Sequence, residues 1–479
     1  VHAAVFAILA ALAFAPEAGA AELNWPSGGL SAHVQAYFAQ LRGSEAEARA
    51  FFDQHMSPAA LADANVDARL QRRATMLSRV QGLTPLEVVV SEPAHMQVRC
   101  RAGNGEELLA IFEGEPDMPH KLLGVRLEAV GEPGEGPPRL AGPALTPGEA
   151  ASQVRESLDR HARDGRFSGV ALLAQGDTTL LLQSWGLADR EKQTPITPAT
   201  RFNLASIGKL FTRAAIAQLA AQGKLSLDDK LSKYMPQFPH ADEITIEMLA
   251  EHRSGVGDIF NAQYNAMDHS KLRHNRDYLA LIRDQPLWFP PGTSRRYSNG
   301  GYVLLGEVIA KASGEDYYDY LARHLFAPAG MKNTLAPIEG DGTPGLARGY
   351  TRKGTPAESE VDNAKSRPAR GSAAGGIYST ASDLLAFDRA LLGGRLCPKP
   401  WAEWATDGPR PGPGAASATA GPPLFGFAGG APGISTEWMR QGETVLIVLT
   451  NRDPEVNRPI LQELRDVVRR VRPGAKRSS

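Results

Sequence analysis

The chain has 479 residues, more than one ordinary domain needs, and its 42% hydrophobic and 22% charged content suits a folded protein with a sizeable core. With 52 basic and 53 acidic residues its formal net charge is −1, which argues against nucleic acid or an anionic membrane surface as a partner. Two cysteines, Cys100 and Cys397, give neither a metal-ligand spacing nor a disulfide framework; two buried free thiols are expected, with a bridge as the alternative.

Residues 3–15 form an unbroken apolar run, closed by Pro16-Glu17 and Ala18-Gly19-Ala20. This pattern predicts a signal peptide over residues 1–20, too short to span a bilayer and lacking the usual basic start. A periplasmic or secreted protein follows as the expectation, with no membrane anchor after cleavage.

Residues 24–130 read as a small accessory α+β unit. Helices are predicted over 32–41, 45–52 and 66–80, with a further start at Ser57-Pro58. Leu70, Met76 and Leu77 should face inward on the 66–80 helix, and Arg69, Arg72 and Arg73 outward. Strands are expected over 86–90, 96–101, 107–113 and 121–127, with Gly103-Asn104-Gly105 as a hairpin turn. Glu87, Glu92 and His95 could line a pocket, but solvated strand charges are the commoner case. The order of elements resembles the small NTF2-like modules found ahead of some exported serine hydrolases.

A Pro/Gly-rich linker covers 131–147, and the larger unit runs over 148–479. It opens with a helix over 147–163 carrying Val154 and Leu158 inward. A hairpin follows, with strands over 170–174 and 179–183. The next stretch, Phe202-Asn203-Leu204-Ala205-Ser206-Ile207-Gly208-Lys209-Leu210-Phe211-Thr212, sets a serine and a lysine three apart inside an apolar helical pattern. One helix face would then carry both, and an amine desolvated beside a hydroxyl is one way to activate a weak nucleophile.

With three further stretches in hand, residues 148–451 resemble the serine β-lactamase and penicillin-binding protein superfamily, in its class C β-lactamase, D-alanyl-D-alanine carboxypeptidase and esterase branch. Leu249-Ala250-Glu251-His252-Arg253-Ser254-Gly255-Val256 resembles a helix end of that family. Phe289-Pro290-Pro291-Gly292-Thr293 through Tyr297-Ser298-Asn299 resembles its second catalytic motif, and Ala374-Gly375-Gly376-Ile377-Tyr378-Ser379 a structural segment. The resemblance implies Ser206 as nucleophile, Lys209 as the group holding or removing its proton, and Tyr297 sharing a proton with Ser206 and the leaving group. Asn299 would hold substrate or orient Lys209, and backbone N–H groups of Ser206 and a strand edge would form the oxyanion hole. His252 is expected to be a structural histidine rather than a base.

The third motif departs from the family pattern. Over Gly426-Phe427-Ala428-Gly429-Gly430-Ala431-Pro432-Gly433, Phe427 stands where a lysine or histidine is expected. Phe427, Ala428 and Gly429 are the candidate substrate-binding residues there, and a phenyl ring cannot offset a carboxylate charge. Residues 444–451 read as a central strand and 458–471 as a closing helix, with Lys476-Arg477 in a basic tail.

The expected fold is mixed α+β, a β-lactamase-like antiparallel sheet flanked by helices plus an all-helical region, preceded by the small α+β domain. The expected activity is serine hydrolysis through an acyl-enzyme on an ester or amide, without metal or cofactor, acting on a small-molecule or peptide substrate. A β-lactamase or carboxypeptidase is the first alternative, and a catalytically degenerate binding or sensor protein the second. Natural substrate and oligomeric state stay open.

Overall fold

A computed structural model of the protein describes residues 23, 25–63, 65–91, 94–115, 119–129, 144–352, 360–411 and 424–471. The expected signal peptide, linker residues 131–143, Glu92 and the Lys476-Arg477 tail lie outside the described residues. The chain divides into two compact units, residues 1–138 and 139–479.

In the first unit, helices α1 (Ser31–Arg42), α2 (Glu45–His55), α3 (Pro58–Asp63) and α4 (Val66–Val80) precede strands β1 (Leu83–Ser91), β2 (His95–Ala102), β3 (Glu107–Gly114) and β4 (Leu122–Ala129). The strands pair antiparallel in the order β1-β2-β3-β4. Local chemistry starts the helices where the sequence changes character. The Ser44 hydroxyl accepts the Glu47 N–H at 3.3 Å while the Glu47 carboxylate takes the Ser44 N–H at 2.6 Å, a reciprocal cap for α2. Alternation along β2 then buries Met96, Val98 and Cys100 in one core with Tyr37, Phe38, Phe51 and Phe112.

The outward placement of Arg69 and Arg73 needs correction. Arg73 is half-buried, donating to the Gln40 side chain at 2.8 Å and to the Gly43 carbonyl at 2.7 Å; Arg69 is likewise half-buried and bonded to the Ala60 carbonyl. Their long stems lie along the helix packing while the guanidinium groups tie off carbonyls. Glu87 pairs with Arg99 at the surface, a solvated strand charge as expected, and His95 bonds Glu113 at 3.0 Å.

The second unit is built on a five-stranded antiparallel sheet. Its strands are β5 (Gly169–Gln175), β6 (Thr178–Trp185), β7 (Leu424–Ala431), β8 (Ile434–Gln441) and β9 (Thr444–Thr450), in the order β7-β8-β9-β5-β6. Every residue of β9 is buried, as a strand covered on both faces must be. Ala171, Leu173, Leu446 and Val448 face α5 (Pro147–Arg163) and the C-terminal helix; Val170, Leu172, Val445 and Ile447 join the main core on the other face. That core holds helices α6 (Gly208–Ala221), α7 (Asn299–Ser313) and α8 (Ala381–Leu392). The closing helix α9 runs Pro454–Arg469, starting four residues before the expected 458 because Pro454 occupies the first helical turn, where a missing N–H costs nothing. Cys100 and Cys397 are buried free thiols. Among the described residues no helix is long and apolar enough to cross a membrane.

Candidate active site

The Ser206 segment is not one regular helix. Ala205–Ile207 form a 3₁₀ turn that runs into α6 at Gly208. The Asn203 carboxamide accepts the Ala205 N–H at 2.8 Å, and Ala205 takes a φ of +44°, a conformation that alanine adopts only under constraint. Gly375 supplies that constraint by close approach. A Cβ placed on it would lie 2.4 Å from the Ala205 carbonyl oxygen, so only glycine fits there. The nucleophile turn is thereby wedged between α6 and the Ala373-Ala374-Gly375 segment.

The second motif is fixed just as locally. Ser298 caps α7, accepting the Gly301 N–H at 2.9 Å and donating to the Gly257 carbonyl at 3.0 Å. Tyr297 therefore sits just before the helix and Asn299 in its first turn. From these two anchors the side chains converge. The Tyr297 hydroxyl donates to Ser206 Oγ at 2.8 Å, and Lys209 Nζ donates to the same oxygen at 3.3 Å. Lys209 Nζ also donates to Asn299 Oδ1 at 2.7 Å and to the Ala374 carbonyl at 2.5 Å.

Electrostatics follow from burial. Lys209 is buried, and desolvation lowers its pKa from 10.5 to about 7, against an opposing pull from Asp258. Tyr297 is 49% exposed, yet its hydroxyl meets Ser206 and Lys209 Nζ lies 4.7 Å from its ring centre; desolvation raises its pKa, so the phenol keeps its proton. His252 is buried with a φ of +61°, and its Nδ1 accepts the Ser298 N–H at 3.2 Å. Its ring lies 4.6 Å from Tyr297 and 5.0 Å from Tyr302, and burial with the nearby Lys209 charge lowers its pKa to about 3. A histidine neutral at all ordinary pH values and bonded to backbone is a support for the Tyr297 turn.

Of the residues singled out in the sequence, Ser206, Lys209, Tyr297 and Asn299 meet directly. The three on β7 sit differently. Phe427 is half-buried against Phe425 and Trp438, with ring centroids 5.5 and 6.3 Å away. Ala428 is exposed, and Gly429 is buried where a Cβ would lie 2.1 Å from the Leu204 carbonyl oxygen. The cleft beside Ser206, about 1470 Å³, is instead lined from this strand by Gly430 and Ala431 and from the turn after it by Pro432, together with Asn299, Ile259 and Phe260. β7 is the outer strand of its sheet, so alternate N–H groups on its free edge lack a strand partner.

Asp258 was not anticipated from the sequence. Its carboxylate accepts the Asn299 backbone N–H at 3.2 Å and the Asn299 Nδ2 at 3.2 and 2.9 Å. The available signal was an acid two residues beyond Val256, between the buried Val256 and Ile259, where an unpaired carboxylate would be costly. Among the described residues no group of three or more His, Cys, Asp or Glu is placed to hold a metal ion.

The chain is similar to known proteins in sequence and in fold. The Beta-lactamase family profile matches residues 152–469. The chain is 28% identical over 303 residues to the putative penicillin-binding protein PbpX of Bacillus subtilis, covering 62% of this chain and 73% of that one. It is 36% identical over 171 residues to penicillin-binding protein 4* of the same organism, a match spanning 35% of this chain and only 38% of the relative's length. Among solved structures, the penicillin-binding protein of Bacillus halodurans superposes with a TM-score of 0.56 at 29% identity, covering 64% of this chain and 98% of that one. The D-amino acid amidase of Ochrobactrum anthropi SV3, complexed with L-phenylalanine amide, gives 0.56 at 26% identity, covering 67% and 98%.

Proposed function

Because the chain belongs to the Beta-lactamase family, a family of serine hydrolases, we propose that it cleaves a neutral ester or amide through an acyl-enzyme on Ser206. One observation carries this reading: Tyr297 and Lys209 both bond the Ser206 oxygen, at 2.8 and 3.3 Å. Lysine in its neutral form takes the serine proton as Oγ attacks the carbonyl carbon, and a pKa of about 7 leaves much of it neutral near that pH. Tyr297, lying between Ser206 and the solvent side, passes a proton to the departing oxygen or nitrogen. The Ser206 N–H and an N–H on the free edge of β7 near Gly430 receive the developing oxyanion. Water then releases the acyl group by the same proton path in reverse.

The neutral substrate is inferred from β7, where Phe427 packs against Phe425 and Trp438 and Gly430 and Ala431 line the cleft. No ammonium or imidazole stands at that point of β7 to meet a carboxylate, and the D-amino acid amidase relative is known in complex with L-phenylalanine amide. A β-lactam or a peptide ending in D-alanine is the rival, favoured by the penicillin-binding relatives. Export to the periplasm or medium is part of the proposal and rests on the apolar run over residues 3–15.

Intact mass after brief exposure to an activated ester and, separately, to a β-lactam tests it, with Ser206→Ala as control. A Ser206-dependent adduct or burst with the ester supports the proposal, and preference for the β-lactam supports the rival. Neither adduct nor turnover with both reagents would sink the hydrolase reading and leave a binding protein.

A further inference from the structure

Resting on the hydrolase reading of Ser206 and Lys209, the next question is what holds Lys209 in its working state. Asn299 has both ends of its carboxamide committed. Oδ1 accepts from Lys209 at 2.7 Å, and Nδ2 donates to both carboxylate oxygens of Asp258. A carboxamide presents one acceptor end and one donor end, and rotation by half a turn would exchange them. The flipped amide would aim N–H donors at an amine that is itself a donor, and its oxygen at a carboxylate. Asp258 forbids that arrangement, and so decides which end of Asn299 meets Lys209.

Asp258 is itself anchored. Its carboxylate accepts the Phe260 N–H at 2.9 Å and the Asn299 backbone N–H at 3.2 Å. Its backbone carbonyl accepts from Gln285 Nε2 at 2.9 Å and Asn261 Nδ2 at 3.2 Å. The residue thus holds one geometry relative to α7.

We propose that Asp258 is a positioning residue: it fixes the Asn299 amide toward Lys209 and supplies, one amide away, the negative charge that lets this buried amine carry a proton during turnover. Around Lys209 the remaining groups give no such charge. The Tyr297 and Tyr302 rings lie 4.7 and 5.4 Å from Nζ, and the phenols stay protonated. His252 is neutral, and the cations Arg213 and Arg295 near it help to keep it so. The direct partners Ser206, Asn299 and Ala374 are uncharged. Burial of Lys209 lowers its pKa, and Asp258 works against that fall.

The test is the pH dependence of kcat/KM for 4-nitrophenyl acetate with the full chain and with Asp258→Asn and Asp258→Glu. Removing the charge weakens proton binding by Lys209, so the acidic limb of Asp258→Asn should move to lower pH by about one unit while its plateau falls about tenfold. Asp258→Glu keeps the charge, so its limb should stay near the parent's even as misplacement lowers its plateau. A limb unmoved in Asp258→Asn, whatever its plateau, reduces Asp258 to a structural role and overturns the inference. A limb displaced in Asp258→Glu overturns it too, and decides the matter alone if the Asn variant does not fold. Absence of Ser206-dependent turnover in the parent would fell the hydrolase reading itself, and this inference with it.

Discussion

Phe427 stands directly opposite Trp438 in the β7–β8 pairing, and Phe425 completes the cluster 5.5 Å from Phe427 and 5.8 Å from Trp438. Trp438 is fully buried, its ring 6.0 Å from Phe387 of α8. The side chain at the point where the family pattern carries a base is therefore part of an aromatic wall. Phe427→His would keep a flat ring of similar size and add a hydrogen-bond donor, at a packing cost of about 1 kcal/mol. Activity toward carboxylate-bearing substrates should rise about tenfold, the worth of one charge-assisted hydrogen bond. Hydrolysis of a neutral ester should change little. Steady-state rates on a cephalosporin and a D-alanine-terminated peptide check this, and equality with the parent on both would refute it.

Lys209 sets a second expectation. If it must be neutral to take the Ser206 proton, kcat/KM for a neutral ester should climb about tenfold per pH unit below a midpoint near 7, then level off. Replacement by methionine should cost at least about 10³-fold. Stability should respond with a definite sign. The folded-state pKa lies below the ordinary value of 10.5, so the unfolded chain binds more protons between about 7 and 10.5. Stability should thus rise with pH across that window, and Lys209→Met should remove this part of the slope. Urea unfolding at the two ends of the window measures it.

Much of this architecture was legible because each level of the sequence agreed with the next. The hydrophobic periods gave α4, α5 and the central strand β9, and the turn residues at Gly103-Asn104-Gly105 marked the hairpin of the first unit. Ser206, Lys209, Tyr297 and Asn299 could be read because they fall in short motifs with fixed offsets. Asp258 could not, since its role exists only once two segments 41 residues apart meet. The same limit applies to β7. A linear motif located the strand, but whether Phe427 or Gly430 lines the cleft depends on strand alternation and on the close approach to Leu204. The 3₁₀ turn at Ser206 escaped the periodicity argument as well, because it packs against Gly375, far along the chain.

That approach of β7 to the nucleophile turn gives a third prediction. A Cβ on Gly429 would lie 2.1 Å from the Leu204 carbonyl oxygen and 2.4 Å from Thr436 Oγ1, while one on Gly426 meets nothing within 4 Å. Thr436 Oγ1 already donates to the Leu204 carbonyl at 3.1 Å, so neither neighbour can yield without breaking that bond. Gly429→Ala should push the outer strand away from Ser206, costing about 2 kcal/mol and about 10²-fold in kcat/KM. Gly426→Ala, on the same strand and face-exposed, should leave both unchanged. Thermal melts and ester kinetics on the pair check this, and equal effects at the two glycines would show that the close approach is unimportant.

His252 separates a structural histidine from a base. Its backbone is left-handed, its Nδ1 is an acceptor for the Ser298 N–H, and its ring fills the space between Tyr297 and Tyr302. Asparagine tolerates that backbone and offers an acceptor oxygen, so His252→Asn should retain activity within about tenfold. Valine tolerates neither demand: a branched Cβ at positive φ and an unpaired Ser298 N–H together should cost about 2–4 kcal/mol. Since the imidazole stays neutral down to about pH 3, the parent and His252→Asn should share the same acidic limb near 7. Kinetics across pH on the three proteins decide the point. If that limb vanishes in His252→Asn while the variant stays folded, the titrating base is His252, and the assignment of Lys209 to that role falls.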